Sequence, residues 1–559
     1  MQNEQIAEHL SLLASLADIH GENPFKSKSY AAAAFGVDKL AVPIQTLPLE
    51  QWTNQKGIGS SAAQKIQELL TTGRINALDI LLSKTPSGIL DLMKIKGLGP
   101  KKIHTIWKEM DIESPGELLY ACQENRLKRF KGFGEKTQKS IQDALEFYQS
   151  NLGFLLFPIA ELIAQELEAI FKQQFPGAQW QQTGDIRLQK QVVQRLEWVT
   201  DLSVTAFERA LPECLTLLSE NETTSSKEYK TTTAHTIRLY FTHTNEWGHT
   251  LLQSTGPAHF LEKLTTLLPN ELDMGTEESI FAAANLPLIP PSLRESTQIL
   301  DVVYKQSMPI CIQETDIRGI IHCHSDWSDG SNSIEELASA CKLNGLEYLV
   351  ISDHSQSAFY ANGLPVNRIL EQHQLIDQLN NALFPFKIFK SIECDILYDG
   401  QLDYPDDVLA LFDCVIASVH SHLRMTEEKA MDRITRAIKN PYTTILGHPT
   451  GRLLLSRPGY PLLMEEIIRT CAAHAVVMEL NANPSRLDID WTQIGQCLSE
   501  QVLISINPDA HHIGGLSDIR YGILAAQKAL VTPKHNLSSM PLEAIETYFL
   551  SIKKRKGID

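Results

Sequence analysis

From residue 318 to the C-terminus, a short apolar, β-branched run recurs and breaks off in a polar residue, with a helical stretch after it. The runs are RGIIHCHSD, YLVISDHS, FKIFKSIECD, CVIASVHSH, TTILGHPTG, VVMELNAN and VLISINPDAHH. Runs this short and this apolar suit strands buried on both faces of a parallel sheet. Amphipathic stretches such as SIEELASACKLNG and EEKAMDRITRAIKN lie between them. Strand–helix alternation predicts parallel β/α units, in an open sheet or a barrel. In such folds the functional face lies at the carboxyl ends of the strands.

Those ends carry the polar residues. The candidates are His322, His324, Asp329, His354, Glu393, His420, His448, Asp509 and His511. Imidazole and carboxylate are the donors that hold Zn²⁺, Mn²⁺ or Fe²⁺. Strand alternation puts His322 and His324 on one side, and Asp509 and His511 repeat the spacing. A single strand-end histidine is more often a structural hydrogen-bond partner. Six of the seven ends supplying such residues make a joint metal pocket the better reading. Nine ligands exceed one tetrahedral ion, so two or three divalent cations are expected. His373, His474 and His535 fall in helical or loop stretches and are expected on the solvated surface, whereas His422 and His512, each flanking a candidate ligand, stay open.

With 559 residues, the chain requires several domains. No apolar run reaches 18 residues and the start has no signal-peptide pattern, so no membrane partner is expected. Nine cysteines without a CxxC pair suit reduced thiols and a cytoplasmic location. The net charge of −17 argues against a global field that attracts nucleic acid. Any DNA contact must then be local.

Three segments supply such a contact: NQKGIGSSAAQKIQELL, MKIKGLGPKKIHTIW and RFKGFGEKTQKSIQDAL. Each sets Gly-hydrophobic-Gly before a helix rich in Lys and Gln: Gly57 and Gly59, Gly97 and Gly99, Gly132 and Gly134. Glycine allows a tight turn, and the helix N-terminus after it offers unpaired N–H groups to a phosphate. Lys101, Lys102 and Lys136 stand beside these turns. The segments resemble helix-hairpin-helix motifs, which hold the DNA backbone without reading sequence.

The motifs HCHSDWSDG, SDH, a strand-end Glu, SVHSH, GHP and PDAHH resemble the polymerase-and-histidinol-phosphatase (PHP) superfamily. The resemblance implies a distorted (β/α)7 barrel with a trinuclear site. One metal would lie on His322, His324, Glu393 and Asp509. A second would share Glu393 as a bridging ligand and add His420 and His448. The third would use Asp329, His354 and His511. The implied chemistry is phosphoester hydrolysis by a metal-bound water. Arg424 and Arg452, shortly after ligand strands, are candidate phosphate contacts or ordinary surface arginines.

The rest of the chain resembles bacterial family X DNA polymerases. HGENPFKSKSYAAAAFGVDKL is similar to the first helices of their lyase domain, TGPAHFLEKL to their TGS-x-x-H segment, and GTEESIFAAANLPLIPPSLRE to their thumb. The implied architecture is an all-α helix-hairpin-helix N-terminal region, an α+β nucleotidyltransferase-like palm and thumb, and the barrel. The boundaries are a lyase-like domain over 1–80, a fingers-like region over 81–150, a palm over 151–262, a thumb over 263–312 and the phosphoesterase domain over 313–559. By this resemblance Lys65 is a candidate Schiff-base lysine; a DNA-facing or solvated helix lysine is the alternative.

The palm departs from the family. Where a Gly-Ser and an Asp-x-Asp pair are expected, the stretch TGDIRLQKQVVQRLEWVTD gives Gly184-Asp185, then Arg195 and Glu197, and a third family Asp falls at Thr236. Asp185 and Asp201 are the other carboxylates at hand, in no Asp-x-Asp register. Two-metal nucleotidyl transfer needs those carboxylates, so polymerase activity is expected to be absent.

The expectation is therefore a DNA-repair enzyme acting as a metal-dependent 3′–5′ exonuclease on gapped, nicked or 3′-ended DNA, with no obligate protein partner. The alternatives are a phosphomonoesterase of the histidinol-phosphatase kind and a DNA-binding scaffold with a structural metal cluster.

Overall fold

A computed structural model describes residues 1–40, 42–150, 153–233, 235–269, 273–305 and 307–557. The chain divides into two packing units. One is Met1–Gln123 with Phe130–Tyr148, and the other is Glu124–Arg129 with Gln149–Asp559. No helix among the described residues is long and apolar enough to cross a membrane.

The first unit is helical. Its three glycine hairpins precede helices Ser60–Thr72, Pro100–Lys108 and Glu135–Ser150. The hairpin sequence dictates the local form. Gly57, Gly97 and Gly132 take φ of +89°, +90° and +94°, where a side chain would be strained. The hydrophobic residue between each glycine pair (Ile58, Leu98 or Phe133) is buried and pins the turn to the core. Each helix then presents its apolar face inward at helical spacing, as with Ala62, Ala63, Ile66 and Leu69.

Besides a two-stranded ladder of Leu155–Leu156 with Val192–Val193, the described residues of the second unit form two larger sheets of different design. The first holds β1 (Trp180–Thr183), β2 (Leu196–Thr200), β3 (Leu215–Asn221), β4 (Ser226–Thr231) and β5 (Thr236–Phe241), in the order β1-β2-β5-β4-β3. Only β2 and β5 run parallel. Alternation in β5 sends Ile237, Leu239 and Phe241 into a core around Trp198, Phe171 and Phe207. Thr236, Arg238 and Tyr240 face the other side, half-buried. A helical cluster around Phe260 and Phe281 follows. There the buried Glu277 accepts from both Arg294 (2.6 Å) and Arg187 (2.5 Å).

The second sheet is a barrel, as the superfamily resemblance implies, where the repeating runs alone left an open sheet as the alternative. Its strands are β6 (Gly319–Cys323), β7 (Tyr348–Ile351), β8 (Lys387–Asp395), β9 (Cys414–Ser418), β10 (Ile445–Leu446), β11 (Val477–Asn481) and β12 (Ile504–Asn507). They lie side by side in chain order, all parallel. A bridge between Cys323 and Ala510 joins the first strand to the residues after the last. Apart from the start of β8, the strands are buried along their length, because apolar clusters fill both the interior and the shell under the helices. Such an enclosure makes every polar residue at a strand end a costly one, and therefore an informative one.

Candidate functional site

The carboxyl ends of the barrel strands gather the nine candidate residues into one buried pocket. Glu393, near the end of the long strand β8, stands at its centre. Its Oε1 lies 2.8 Å from His448 Nε2, 3.1 Å from His420 Nε2 and 3.3 Å from His322 Nε2. Its Oε2 lies 3.1 Å from His354 Nδ1 and 3.6 Å from His324 Nε2. Asp509 faces His324 Nε2 at 3.1 Å and His322 Nε2 at 3.4 Å. Asp329 faces His354 Nε2 at 3.4 Å, His511 Nε2 at 3.6 Å and His324 Nδ1 at 3.8 Å. Three of these residues sit in left-handed backbone: His322 at φ +65°, His448 at +24° and Asp509 at +53°. Such strain persists where surrounding structure over-determines the position, and here it turns side chains into the pocket.

The electrostatics run against burial. Desolvation penalises the charges of Glu393, Asp329 and Asp509, yet the adjacent imidazoles hold all three carboxyls well below the usual range. Burial also opposes charge on His420 and His511, but Glu393 with Asp395, and Asp329, push them up to about 10. His322 Nε2, His324 Nδ1, Asp329 Oδ2, both nitrogens of His354 and His511 Nε2 are buried without a hydrogen-bond partner. Orphaned buried atoms are expensive, and so many converging on one space fit divalent cations better than any protein hydrogen-bond network. Among the described residues, three sets of donor atoms lie close enough to hold an ion: His324, Asp329, His354 and His511; His322, His324 and Asp509; and His354, Glu393 and His420.

A second ring of residues, missed in the sequence, orients the first. His322 Nδ1 lies 2.6 Å from Glu479 and His420 Nδ1 lies 2.5 Å from Asp395. Glu479 also accepts from the His448 backbone N–H (2.6 Å) and from Asn507 (2.7 Å). Asp353 accepts from Ser325 Oγ (2.6 Å) and Gln372 (2.7 Å), and it bonds Ser328 in the loop before Asp329. Carboxylates behind metal-binding imidazoles fix the tautomer and raise donor strength. Asp395 had a legible signal, since it shares a strand face with Glu393 two residues earlier. Glu479 lies in the middle of the one run left without a candidate.

The other singled-out residues fare differently. Arg424 is exposed in the loop after His420. Arg452 belongs to the framework and is not disposed towards phosphate: Asp490 (2.5 Å), the carbonyls of Arg486 (3.0 Å) and Leu487, and Gln191 (3.1 Å) take up its guanidinium. His373 is not on the surface. It is buried edge-on to Phe412, with ring centres 5.2 Å apart. His474 and His535 are half-buried, and His535 Nδ1 accepts from the backbone of Thr532. His422 is exposed beside Tyr398, and His512 caps the turn at Gly515. Lys65 is half-buried and ion-paired to Glu68 at 2.7 Å, where its charge is used.

In the five-stranded sheet, Glu197 is buried on β2 and Arg238 is its register partner on β5. Arg238 therefore faces the surviving carboxylate, and Thr236 starts the strand opposite Lys230. Arg238 lies 3.5 Å from Glu197 and 2.6 Å from Glu228, and Arg195 lies 3.8 Å and 3.4 Å from the same pair. Tyr240 donates to Glu197 at 3.2 Å. Burial lifts the Glu197 carboxyl above its usual range despite the two guanidiniums. Asp185 is held by Lys190 at 2.6 Å.

Comparison with known proteins decides the family. Residues 1–75 match the helix-hairpin-helix domain, and 89–146 match the SAM-like helix-hairpin-helix tandem. The chain is 32% identical to the DNA polymerase/3′-5′ exonuclease PolX of Bacillus subtilis, over 98% of its own length and 99% of that protein's. The chain belongs to the PolX family. Other relatives match part of the chain, towards its C-terminus. A probable phosphatase of Acetivibrio thermocellus is 29% identical over 29% of this chain and 63% of its own length. Another, from Caldicellulosiruptor bescii, is 28% identical over 34% of this chain and 78% of its own length.

Proposed function

We propose that this chain binds DNA through its helix-hairpin-helix region and shortens it from the 3′ end as a metal-dependent phosphodiesterase, without DNA polymerase activity. The observation that carries the reading is the buried pocket of orphaned imidazole nitrogens and carboxylates in a chain that also has three glycine hairpins. His322, His324, Glu393 and Asp509 would hold one cation, and Glu393, His420 and His448 a second. Asp329, His354 and His511 would hold a third, with His324 Nδ1 turned towards it. When bound, Mn²⁺, Zn²⁺ or Fe²⁺ would neutralise a phosphodiester, lower the pKa of water and stabilise the leaving oxygen. The protein's share is arrangement. Glu393 spans the two halves of the pocket with its two oxygens. Glu479 and Asp395 keep His322 and His420 in one tautomer each, and the apolar barrel wall below keeps out bulk water.

The hairpins would supply the grip on DNA. Backbone N–H groups after Gly57, Gly97 and Gly132, with Lys101, Lys102 and Lys136, are the donors for phosphates on gapped, nicked or 3′-ended DNA. Loss of polymerase activity rests on charge. Two arginines bracket the one carboxylate left on β2, and a divalent cation placed there would be repelled.

Incubating end-labelled DNA with Mn²⁺, with and without dNTPs, tests both halves. Stepwise shortening under both conditions is the expected result. Primer extension would overturn the statement about the palm, and intact DNA would overturn the exonuclease. The match of the barrel to probable phosphatases favours a second reading, phosphomonoester hydrolysis. Faster release of phosphate from a small monoester than from DNA would select it.

A further inference from the structure

The segment Glu124–Arg129 lies in the chain between the second and third hairpins, yet by its packing it belongs to the unit that holds the barrel. Leu127 anchors it, fully buried. Asn125 Nδ2 donates to Ser331 Oγ at 3.1 Å, and Arg129 Nη2 donates to the Ser328 carbonyl at 3.1 Å. These bonds take hold of the loop on both sides of Asp329. The Ser331 N–H in turn donates to the carbonyl of His511 at 2.8 Å. The segment is thus tied to two of the pocket's own residues.

Glu124 is buried as well. Its Oε2 lies 2.5 Å from Arg126, and its Oε1 lies 4.0 Å from Arg486. Arg486 also lies 3.8 Å from Asp509. The Arg126 guanidinium stands 4.8 Å from the centre of the Tyr360 ring, and that ring is 6.4 Å from the His354 ring. A bare carboxylate here would repel a phosphate. Paired with Arg126 and Arg486, its charge is met, beside the Asp329, His354 and His511 end of the pocket.

We propose that Arg126, oriented by Glu124 and Tyr360, contacts the phosphate of the substrate's terminal nucleotide, so that the stretch between two DNA-gripping hairpins supplies a binding residue to the barrel. The proposal rests on the phosphoesterase reading of the barrel. Arg126 is the substrate contact, and Glu124 is a positioning residue.

The test uses the full-length chain loaded with Mn²⁺, as wild type, Arg126→Ala, Arg126→Lys and Glu124→Gln. Each is titrated by calorimetry with the phosphonate analogue of thymidine 5′-monophosphate, in which carbon replaces the ester oxygen and blocks hydrolysis. Each is also assayed on an end-labelled oligonucleotide. Arg126→Ala should weaken analogue binding about tenfold and raise KM for the oligonucleotide by a similar factor, with kcat changed less than about threefold. Arg126→Lys should keep most of the affinity, losing about threefold, and Glu124→Gln should fall between the two. Should Arg126→Ala fail to fold, the other two variants carry the test. Analogue affinity and KM unchanged in the variants, or a fall in kcat alone, would overturn the assignment. If no chain shortens the oligonucleotide while Arg126→Ala still loses the analogue, the exonuclease reading fails and the role of Arg126 stands.

Discussion

The barrel mouth and the five-stranded sheet both bring acidic side chains to sheltered positions in or beside strands, and they resolve the cost in opposite ways. At the mouth, Glu393, Asp329 and Asp509 face imidazoles across gaps of 2.8–3.8 Å, and several of those nitrogens lack a hydrogen bond. In the sheet, Glu197 and Glu228 are closed off by Arg195 and Arg238. An imidazole gives up its proton and becomes a cation ligand, whereas a guanidinium keeps its charge at any working pH. A carboxylate beside histidines is therefore a site in waiting, and a carboxylate beside arginines is a finished ion pair. Counting acidic residues would not separate them; the partner's chemistry does.

The contrast can be broken most directly at Glu393. Glu393→Gln should lower DNA hydrolysis by about a thousandfold or more and reduce bound metal, while DNA affinity measured by anisotropy stays near wild type. Loss of DNA binding instead would mean that the pocket is not separable from the grip. Asp395→Asn removes the carboxylate behind His420 and should cost about 10- to 100-fold in metal affinity or kcat/KM, measured by metal titration and steady-state assay.

His373 sharpens the comparison from the barrel wall, because it is a buried imidazole with no carboxylate bonded to it. Burial and then Lys390 lower its pKa to about 4. The unfolded chain takes up a proton near pH 6.5 that the folded chain refuses until about pH 4. The stability it contributes is therefore full above pH 6.5 and is lost as pH falls towards 4. His373→Phe should flatten that window by about 2 kcal/mol, seen as a smaller drop in melting temperature between pH 7 and pH 5. An unchanged pH dependence would place the proton elsewhere.

In the sheet, Arg238→Ala should destabilise by about 1–2 kcal/mol, since Glu197 is left buried with a weaker partner and the pair is partly solvated. A lower melting temperature with unchanged exonuclease rate is expected; a changed rate would tie the sheet to the chemistry. The smallest effect is at the hairpins. Lys101→Ala should reduce the slope of log affinity against log salt by about 1, with little change in kcat.

Much of this was legible because strand-end ligands are local in sequence. HCHSD, SVHSH and PDAHH each carry their polar residues beside the apolar run that buries them, so the parallel β/α units and the nine candidates followed from pattern, and the barrel from the family resemblance. The glycine hairpins were legible for the same reason, as positive φ leaves glycine as the residue of choice. What pattern did not reveal depends on pairings across long chain separations. Arg238 faces Glu197 through strand register, a pairing that local pattern does not mark. Arg452 is spent on the stretch from Arg486 to Asp490, and His373 was buried by Phe412. Glu124 and Arg126 reach the pocket from a turn some 200 residues before the first barrel strand in chain order, where nothing nearby in sequence marks them.

The central claim is that the barrel mouth binds several divalent cations and the five-stranded sheet none. Elemental analysis of the purified chain, together with anomalous scattering at the metal edge from its crystals, measures this directly. The account predicts two or three peaks among His322, His324, Asp329, His354, Glu393, His420, His448, Asp509 and His511, and no peak beside Glu197. A metal-free pocket in protein that still shortens DNA, or an ion between Glu197 and Glu228, would contradict it.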